Sequence, residues 1–333
     1  MSKPSRVLCA RMRPGAGIAR CAESLVMIMS WSRSCQWRVW AASHYTASML
    51  SAASRLLTIA AIALPCIPGM ARAQDSSAWD AEPHAAARLI AGAALRSADA
   101  AWLRAGIEIR LDTGWKTYWR YPGDSGVPPT LDFAGSENVK SVTVLWPAPT
   151  RFADGAGGHS IGYHGDVVLP LRVLANDAAK PAALHLKLSY AVCSNLCVPV
   201  EAELDLALSG KRGAEEATLV AAEARVPRRA ALGAGSAAGG LAIRSARRER
   251  GGAGERVVVE VAAPAGTPVD LFAEGPAADW ALPLPEASGG GAGTRRFTFD
   301  LDGLPPGAHV DGATLTLTAT SPDDAIEVPV HLD

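Results

Sequence analysis

The sequence predicts an all-β protein in which two β-sandwich domains are joined by a short helical linker. Apolar residues alternate with polar residues in short runs, as in strands that bury one face. Glycine (32 residues) and proline (23 residues) are abundant, which is typical of chains with many turns. The pattern contains no long amphipathic helix, and 333 residues are enough for two domains of ordinary size.

The first sandwich is predicted from a period-two alternation that starts near residue 105. Segments 122–126 and 154–158 interrupt this alternation and have the Gly- and Asp-rich composition of loops. We therefore expect a first sandwich over residues 95–210. Its alternating runs are 107–111, 142–146, 167–173, 184–190 and 200–208.

The composition changes after residue 210. Residues 215–224 can form a short helix that ends before Pro227, so we interpret 211–238 as a linker. Alternation then resumes between Gly and Pro clusters, which predicts a second, smaller β-rich domain over 239–333. Its alternating runs are 257–261, 269–272, 297–301 and 315–318.

The N-terminal region has the features of an export signal. Residues 1–48 show no periodic pattern, and we interpret them as an extension from a misassigned start codon. Residues 49–73 combine Arg55, a short apolar run at 56–64 and the small residues of Ala71-Arg72-Ala73, as in a signal peptide cleaved after residue 73. The alternative is a longer uncleaved anchor. We expect export to the periplasm.

Charge and hydropathy exclude two classes of partner. The formal net charge is −1, which gives no reason to expect binding to nucleic acid or to an anionic membrane surface. No stretch after residue 73 has the roughly 20 apolar residues that a membrane-spanning helix needs. We therefore expect no membrane span in the mature chain.

Removal of the first 73 residues leaves two cysteines, Cys193 and Cys197, of the six in the chain. In an oxidising compartment such a pair can persist as a disulfide. A disulfide needs Cα atoms about 4.4–6.8 Å apart, whereas residues four apart on an extended strand are about 13 Å apart. Residues 194–196 are therefore expected to form a turn.

The small ring favours a redox role over a structural one. Closing so short a loop stabilises a fold by only about 2 kcal/mol, and a structural disulfide is more useful between distant segments. Two alternatives stay open at this point. In the first, the disulfide only rigidifies a loop. In the second, both thiolates bind a metal with His159 or His164, although the spacing is not that of zinc sites.

Four motifs in order resemble the amino-terminal periplasmic domain of the DsbD family of disulfide reductases, and within it the copper-sensitivity suppressor branch, ScsB. The resemblance covers about residues 95–210. The motifs are Gly-Trp-Lys-Thr-Tyr-Trp-Arg-Tyr-Pro-Gly-Asp-Ser-Gly (114–126), Leu-Trp-Pro-Ala-Pro (145–149), Ser-Ile-Gly-Tyr-His-Gly (160–165) and Tyr-Ala-Val-Cys-Ser-Asn-Leu-Cys-Val-Pro (190–199).

This resemblance implies an immunoglobulin-like sandwich that exchanges disulfides without a cofactor or metal. A thioredoxin-like donor domain or a separate membrane reductase would supply electrons, and periplasmic substrate proteins would receive them. Exchange proceeds through a mixed disulfide. By similarity, Cys197 bonds the partner and Cys193 resolves the bond. Full-length family members also contain membrane and thioredoxin-like domains, and the sequence to Asp333 contains neither. We therefore expect either that a separate membrane protein supplies the electrons or that the protein has become a binding module.

The resemblance also implies an aromatic cap over the cysteines. Phe152, or Tyr163 in the following segment, matches the cap region, although Phe152 could be an ordinary core aromatic. Asp154 could raise a thiol pKa if it lies near the pair. We expect Tyr118 and its aromatic neighbours to be core and sandwich-edge residues.

The leading hypothesis is thus a periplasmic electron relay, either a protein-disulfide reductase itself or the redox partner of one. The rival hypothesis is a non-enzymatic interaction or scaffold protein with a structural disulfide. A metal-handling protein linked to copper tolerance is the third.

Overall fold

The computed structural model describes residues 74–96, 101–154, 157–234, 240–251, 254–291 and 293–333. The expected start-site extension (1–48) and signal peptide (49–73) lie outside the described residues. Within the described part of the chain, no helix is long and apolar enough to cross a bilayer.

Eleven strands form the first sandwich. They make a five-stranded sheet of order β1-β2-β3-β9-β6 and a six-stranded sheet of order β11-β10-β4-β8-β7, with β5 paired to β10. The strands are β1 (Asp80–Glu82), β2 (Ala85–Arg96), β3 (Ala101–Leu111), β4 (Lys116–Gly123), β5 (Thr130–Asp132), β6 (Val139–Val144), β7 (Thr150–Ala153), β8 (His159–His164), β9 (Val167–Ala175), β10 (Ala182–Cys193) and β11 (Cys197–Leu208).

The core of this sandwich lies between the two sheets, where alternate residues of each strand meet. On β10 the even-numbered residues from 184 to 192 face this core, and each is at most 4% exposed. Odd-numbered residues of the same strand lie on the outer face of the six-stranded sheet, as period-two alternation requires. The cysteine pair therefore belongs to the outer face.

The sheet begins before residue 95, where the sequence placed the start of the domain. Strands β1 and β2 pair with each other, and β2 pairs with β3 along most of its length. Alanine dominates β2, and buried positions such as Ala85 and Ala87 are too small to give a clear apolar alternation. The strand is therefore not predicted from an alternation of large apolar residues.

The predicted linker helix is α1 (Glu216–Glu223). Leu219 is fully buried, and a side chain at Gly92 or Gly106 would collide with it. Glu216 and Glu223 both pair with Arg104 of β3. The helix is thus anchored on the first sandwich by apolar packing, by these ion pairs and by a hydrogen bond from the Ala93 amide to Glu216.

The second sandwich contains two four-stranded sheets, of order β12-β19-β18-β15 and β13-β14-β17-β16. Its short first strand comes from within the expected linker and pairs with the last strand of the chain. The strands are β12 (Arg228–Arg229), β13 (Ala242–Gly251), β14 (Gly254–Ala262), β15 (Asp270–Glu274), β16 (Glu286–Gly291), β17 (Thr294–Asp300), β18 (Thr314–Thr320) and β19 (Ala325–His331).

The two sandwiches share part of one core. Phe272 and Leu284 of the second sandwich pack into the apolar cluster of the first. Phe272 is fully buried, and its ring centroid lies 5.9 Å from that of Trp119 on β4. The predicted fold class, an all-β chain of two sandwiches with a helical linker, is confirmed.

Candidate functional site

The two cysteines close the hairpin between β10 and β11. They are directly opposed in the pairing register, their Cα atoms are 4.2 Å apart, and their sulfurs are bonded. Residues 194–196 form the connecting turn, in which the Ser194 amide donates to the Leu196 carbonyl at 3.1 Å. The turn that the cysteine spacing requires is therefore present.

The two sulfurs have unequal surroundings because their strands occupy different places in the sheet. Cys197 lies on β11, which is an edge strand, and the residue is exposed. Cys193 lies on β10, one strand further in, and is 1% exposed. A small buried cluster of Tyr118, Phe152 and Ala191 surrounds Cys193 on the outer face. Of the two cysteines, Cys197 is therefore the more accessible to solvent.

Tyr118 of β4 contacts both sulfurs. Its hydroxyl lies 2.9 Å from Cys193 Sγ and 3.3 Å from Cys197 Sγ. Burial raises the pKa of Tyr118 above its ordinary value; a hydrogen bond with Ser160 opposes this shift, and the charge of Asp154 adds to it. The hydroxyl thus remains protonated at neutral pH and can donate to a thiolate.

Phe152 of β7 lies next to Cys193, as the cap hypothesis expects of an aromatic in this segment. The residue is 9% exposed. Its ring is held from two further directions, by Lys116 Nζ at 4.3 Å from the ring centroid and by the His164 ring in an edge contact at 4.9 Å. Phe152 covers the buried sulfur and leaves Cys197 exposed.

Small residues on β8 allow Phe152 and Tyr118 to meet. Strand β8 lies between β7 and β4, and on the outer face it presents Ser160 opposite Phe152 and Gly162 opposite Tyr118. Because neither residue has a large side chain, the two aromatic rings can pack over the strand between them.

Asp154 lies beside this cluster and belongs to a polar network. Ser125 Oγ donates to its Oδ2 at 2.8 Å, and the Gly158 amide donates to its Oδ1 at 3.0 Å. Ser125 Oγ is also 3.0 Å from Ser160 Oγ. The charge of Asp154 acts on the Tyr118 hydroxyl. A direct effect on a thiol pKa remains a prediction, since both cysteines are oxidised here.

Tyr163, the other cap candidate, lies in the main core and not over the disulfide. It is 5% exposed, and its hydroxyl donates to the Pro147 carbonyl at 2.9 Å. Burial raises its pKa well above the ordinary value. Strand alternation is the reason, because Ile161 and Tyr163 face the core whereas Ser160 and Gly162 face outward.

Sequence reasoning assigned Tyr118 to the core or the sandwich edge and missed its contact with the disulfide. Strand alternation in Thr117-Tyr118-Trp119 directs Tyr118 to the face opposite that of the core residue Trp119. This alternation could have indicated that Tyr118 lies on the outer face. Its proximity to the cysteines depends on the pairing of Cys193 with Lys116, a register that spacing alone does not reveal.

The histidines considered as metal ligands have other surroundings. His164 packs against Phe152, and His159 is exposed at the start of β8. Among the described residues, no group of three or more His, Cys, Asp or Glu side chains is arranged to hold a metal ion.

Comparison with known proteins identifies the first sandwich. Residues 87–209 match the family model described as thiol:disulfide interchange protein DsbD, N-terminal. This segment is a DsbD N-terminal domain. The chain is similar to the crystal structure of the N-terminal periplasmic domain of ScsB from Proteus mirabilis, with a TM-score of 0.60 and 23% identity. No curated protein sequence matches significantly.

The likeness to the ScsB domain covers 78% of this chain and 98% of that chain. It therefore extends beyond the DsbD N-terminal domain into the second sandwich, since the family match ends at residue 209. The resemblance of the first sandwich to the DsbD amino-terminal domain is confirmed. The likeness to the ScsB domain is one of fold, and it confirms the immunoglobulin-like architecture.

Proposed function

We propose that this protein relays electrons in the periplasm by thiol–disulfide exchange through Cys193 and Cys197. The observation that carries the proposal is the asymmetry of the pair: an exposed cysteine on an edge strand is bonded to a buried cysteine whose sulfur contacts a phenolic hydroxyl. Membership of the first sandwich in a thiol:disulfide interchange family supports the same chemistry.

The exposed sulfur is the expected site of attack. A thiolate of a partner dithiol attacks Cys197 Sγ, the bond between the two cysteines breaks, and Cys193 leaves as a thiolate. The second partner thiolate then attacks the partner sulfur of the mixed disulfide and releases Cys197. The partner is oxidised by two electrons and the cysteine pair is reduced. In the reverse direction, Cys197 attacks a substrate disulfide and Cys193 resolves the mixed disulfide.

Tyr118 supports this order because its hydroxyl can stabilise the leaving group. As Cys193 leaves, negative charge develops on a sulfur that is 1% exposed. The Tyr118 hydroxyl, 2.9 Å away, can donate a hydrogen bond to that charge. A raised pKa keeps the donor proton in place throughout the neutral range.

The partners proposed are proteins and not small molecules. A thioredoxin-like domain or a separate membrane reductase would supply electrons, and periplasmic proteins with disulfides would receive them. Leu196, at 62% exposure beside Cys197, offers an apolar contact to a docked protein. Export to the periplasm is proposed from the signal peptide expected at 49–73 and from the periplasmic origin of the ScsB domain.

The first test is the equilibrium of the mature protein with glutathione buffers, followed by thiol alkylation and mass measurement. We expect a reduction potential within the range of exchange proteins, about −120 to −270 mV. A pair that stays oxidised below about −300 mV would overturn the relay and leave a structural disulfide in a scaffold protein.

A trapping experiment tests the order of the two cysteines. Cys193→Ser leaves the exposed thiol without its resolving partner, so mixed disulfides with thioredoxin-like proteins should accumulate. Cys197→Ser is the matched control, and it should trap far less because its remaining thiol is buried. Equal trapping by both variants would contradict the assigned order.

A further inference from the structure

The strands that carry Tyr118 and Phe152 also carry the contacts with the second sandwich. On β4, Trp119 follows Tyr118 and packs against Phe272 of the second sandwich. On β7, Arg151 precedes Phe152 and is bonded to that sandwich. A shift of the second sandwich would therefore reach the cysteine cluster through neighbouring residues of the same strands.

Arg151 makes four hydrogen bonds with the second sandwich. Its Nε and Nη2 donate to the two carboxylate oxygens of Asp270 at 3.1 and 2.8 Å. Nη2 also donates to the carbonyls of Leu271 at 3.0 Å and Pro285 at 2.9 Å. The Arg151 and Asp270 side chains are 18% and 31% exposed, so water weakens this bidentate pair only in part.

Strand β7 depends on such anchoring because it is short and lies at a sheet edge. It has four residues and, in the part of the chain that the structure describes, pairs only with β8. The polar contacts of Arg151 supply a second attachment next to Phe152 in sequence. Without them, the position of the Phe152 ring would rest on one strand pairing and its own side-chain contacts.

We propose that the second sandwich selects the reacting sulfur, by holding β7 so that Phe152 keeps Cys193 covered. Arg151 and Asp270 are the positioning residues, and they act through Phe152. This inference rests on the proposed function, in which exchange takes place at Cys197. Attack at Cys193 would instead form the mixed disulfide at the buried sulfur and release Cys197 as the thiolate, so the resolving and exposed thiols would exchange roles.

Coverage of Cys193 can be measured without any redox partner. The mature protein is reduced fully with a water-soluble phosphine, freed of reductant, and pulsed with N-ethylmaleimide for increasing times. Fragmentation mass spectrometry of the peptide that contains both cysteines gives the alkylation rate of each. The readout is the ratio of the Cys193 rate to the Cys197 rate.

Asp270→Asn removes the charge that holds Arg151, and we expect it to raise this ratio about tenfold. Glu255→Gln is the matched control, because Glu255 pairs with Arg248 inside the second sandwich at a similar exposure, 33% against 31% for Asp270. The control ratio should equal that of wild type. Arg151→Lys keeps the positive charge but loses the bidentate geometry, so it should give an intermediate increase.

A double variant tests whether the effect passes through Phe152. Phe152→Ala should raise the ratio at least as much as Asp270→Asn, and the combination should raise it no further. Additive increases would overturn the assignment of Arg151 and Asp270 as residues that act through Phe152. If Asp270→Asn fails to fold, Arg151→Lys with its own double variant decides the same question.

The outcomes separate this inference from the relay. A wild-type pair that equilibrates with glutathione, together with an unchanged ratio in Asp270→Asn, overturns the positioning role and leaves the relay intact. A raised ratio in a protein whose pair resists glutathione supports the positioning of β7 and overturns the relay.

Discussion

Tyr118 and Tyr163 show how neighbouring aromatic residues acquire different roles. Both are buried, at 4% and 5% exposure, and both hydroxyls have hydrogen-bond partners. The hydroxyl of Tyr118 lies against two sulfurs, whereas that of Tyr163 donates to a backbone carbonyl in the core. The chemistry available to each hydroxyl is set by the face of the sheet from which its side chain projects.

Tyr118→Phe removes the hydroxyl that faces Cys193. In the reduced protein we expect the pKa of the Cys193 thiol to rise, because its thiolate loses a hydrogen-bond donor. Reduction of the disulfide by a small thiol should slow by about tenfold or less. The pH dependence of Cys193 alkylation measures the thiol pKa. Quenched-flow sampling of the reaction measures the rate of reduction. Tyr163→Phe is the control, and an equal slowing in both variants would contradict the role of Tyr118.

The raised pKa of Tyr190 predicts that the free energy of unfolding falls at alkaline pH. Burial, followed by the charges of Asp80 and Glu82, raises its pKa to about 12. An unfolded chain has a tyrosine pKa near 10, so between about pH 10 and 12 the folded state retains a proton that the unfolded state loses. The resulting stabilisation is complete below about pH 10 and is lost as the pH rises towards 12.

Tyr190→Phe should therefore flatten the decline of the free energy of unfolding above about pH 10, as measured by urea denaturation from neutral pH upwards. Below that pH the cost should be small, because the Tyr190 hydroxyl has no hydrogen-bond partner among the described residues. Part of the decline should persist, since burial also raises the pKa of Tyr121 to about 12. An unchanged slope would contradict the assignment.

At the scale of elements, the site depends on the close approach of β4 and β8. Gly162 pairs with Tyr118, and a Cβ at this glycine would overlap the Thr117 carbonyl oxygen. The same lack of a side chain leaves room for Phe152 and Tyr118 to meet above the strand. One glycine thus allows both the strand pairing and the aromatic cluster over Cys193.

Gly162→Ala should destabilise the fold by about 2 kcal/mol or more, because a backbone atom and not a flexible side chain must move. We also expect faster alkylation of Cys193 in the reduced protein as β4 and β8 separate. Urea unfolding and the alkylation rate measure the two effects. Gly291→Ala is the control on a strand, since a Cβ there meets no atom within 4 Å. Similar losses in both variants would show that the Thr117 contact is not the cause.

At the scale of the whole molecule, ionic contacts supplement the apolar junction between the sandwiches. Arg120 of β4 donates to both carboxylate oxygens of Glu274 at 2.8 Å and to Glu327 at 2.6 Å. The Tyr121 hydroxyl donates to the Leu282 carbonyl across the same junction. These bonds come from the strand that also carries Tyr118, so the redox site and the junction share one structural support.

Arg120→Ala should lower the free energy of unfolding by about 2 kcal/mol, because two partly buried carboxylates lose their cation. The loss stays below that for a fully buried pair, since 26% of the Arg120 side chain is exposed. Arg228→Ala is the control. The Arg228 side chain, which pairs with Asp324, is 64% exposed, so we expect its removal to lower the free energy of unfolding by at most about 1 kcal/mol. Urea denaturation of both variants gives the comparison, and equal losses would contradict an ionic role at the junction.

The sequence by itself determined the β class, the linker helix, the second sandwich and the turn between the cysteines. Each of these follows from local pattern, namely period-two alternation, helix-ending Pro and Gly, and the limited reach of a disulfide. The four ordered motifs also predicted the family of the first sandwich. Strand β2 was not predicted, because several of its buried positions are alanines and give no clear apolar alternation.

Only the tertiary structure decided which groups surround the cysteines. Tyr118 reaches Cys193 through the register of β4 against β10, Phe152 reaches it across β8, and Tyr163 turns into the core on the opposite face. The difference in exposure between the two cysteines arises because β11 is an edge strand and β10 is not. Register and sheet order are set by contacts between residues far apart in the chain, so no local pattern contains them.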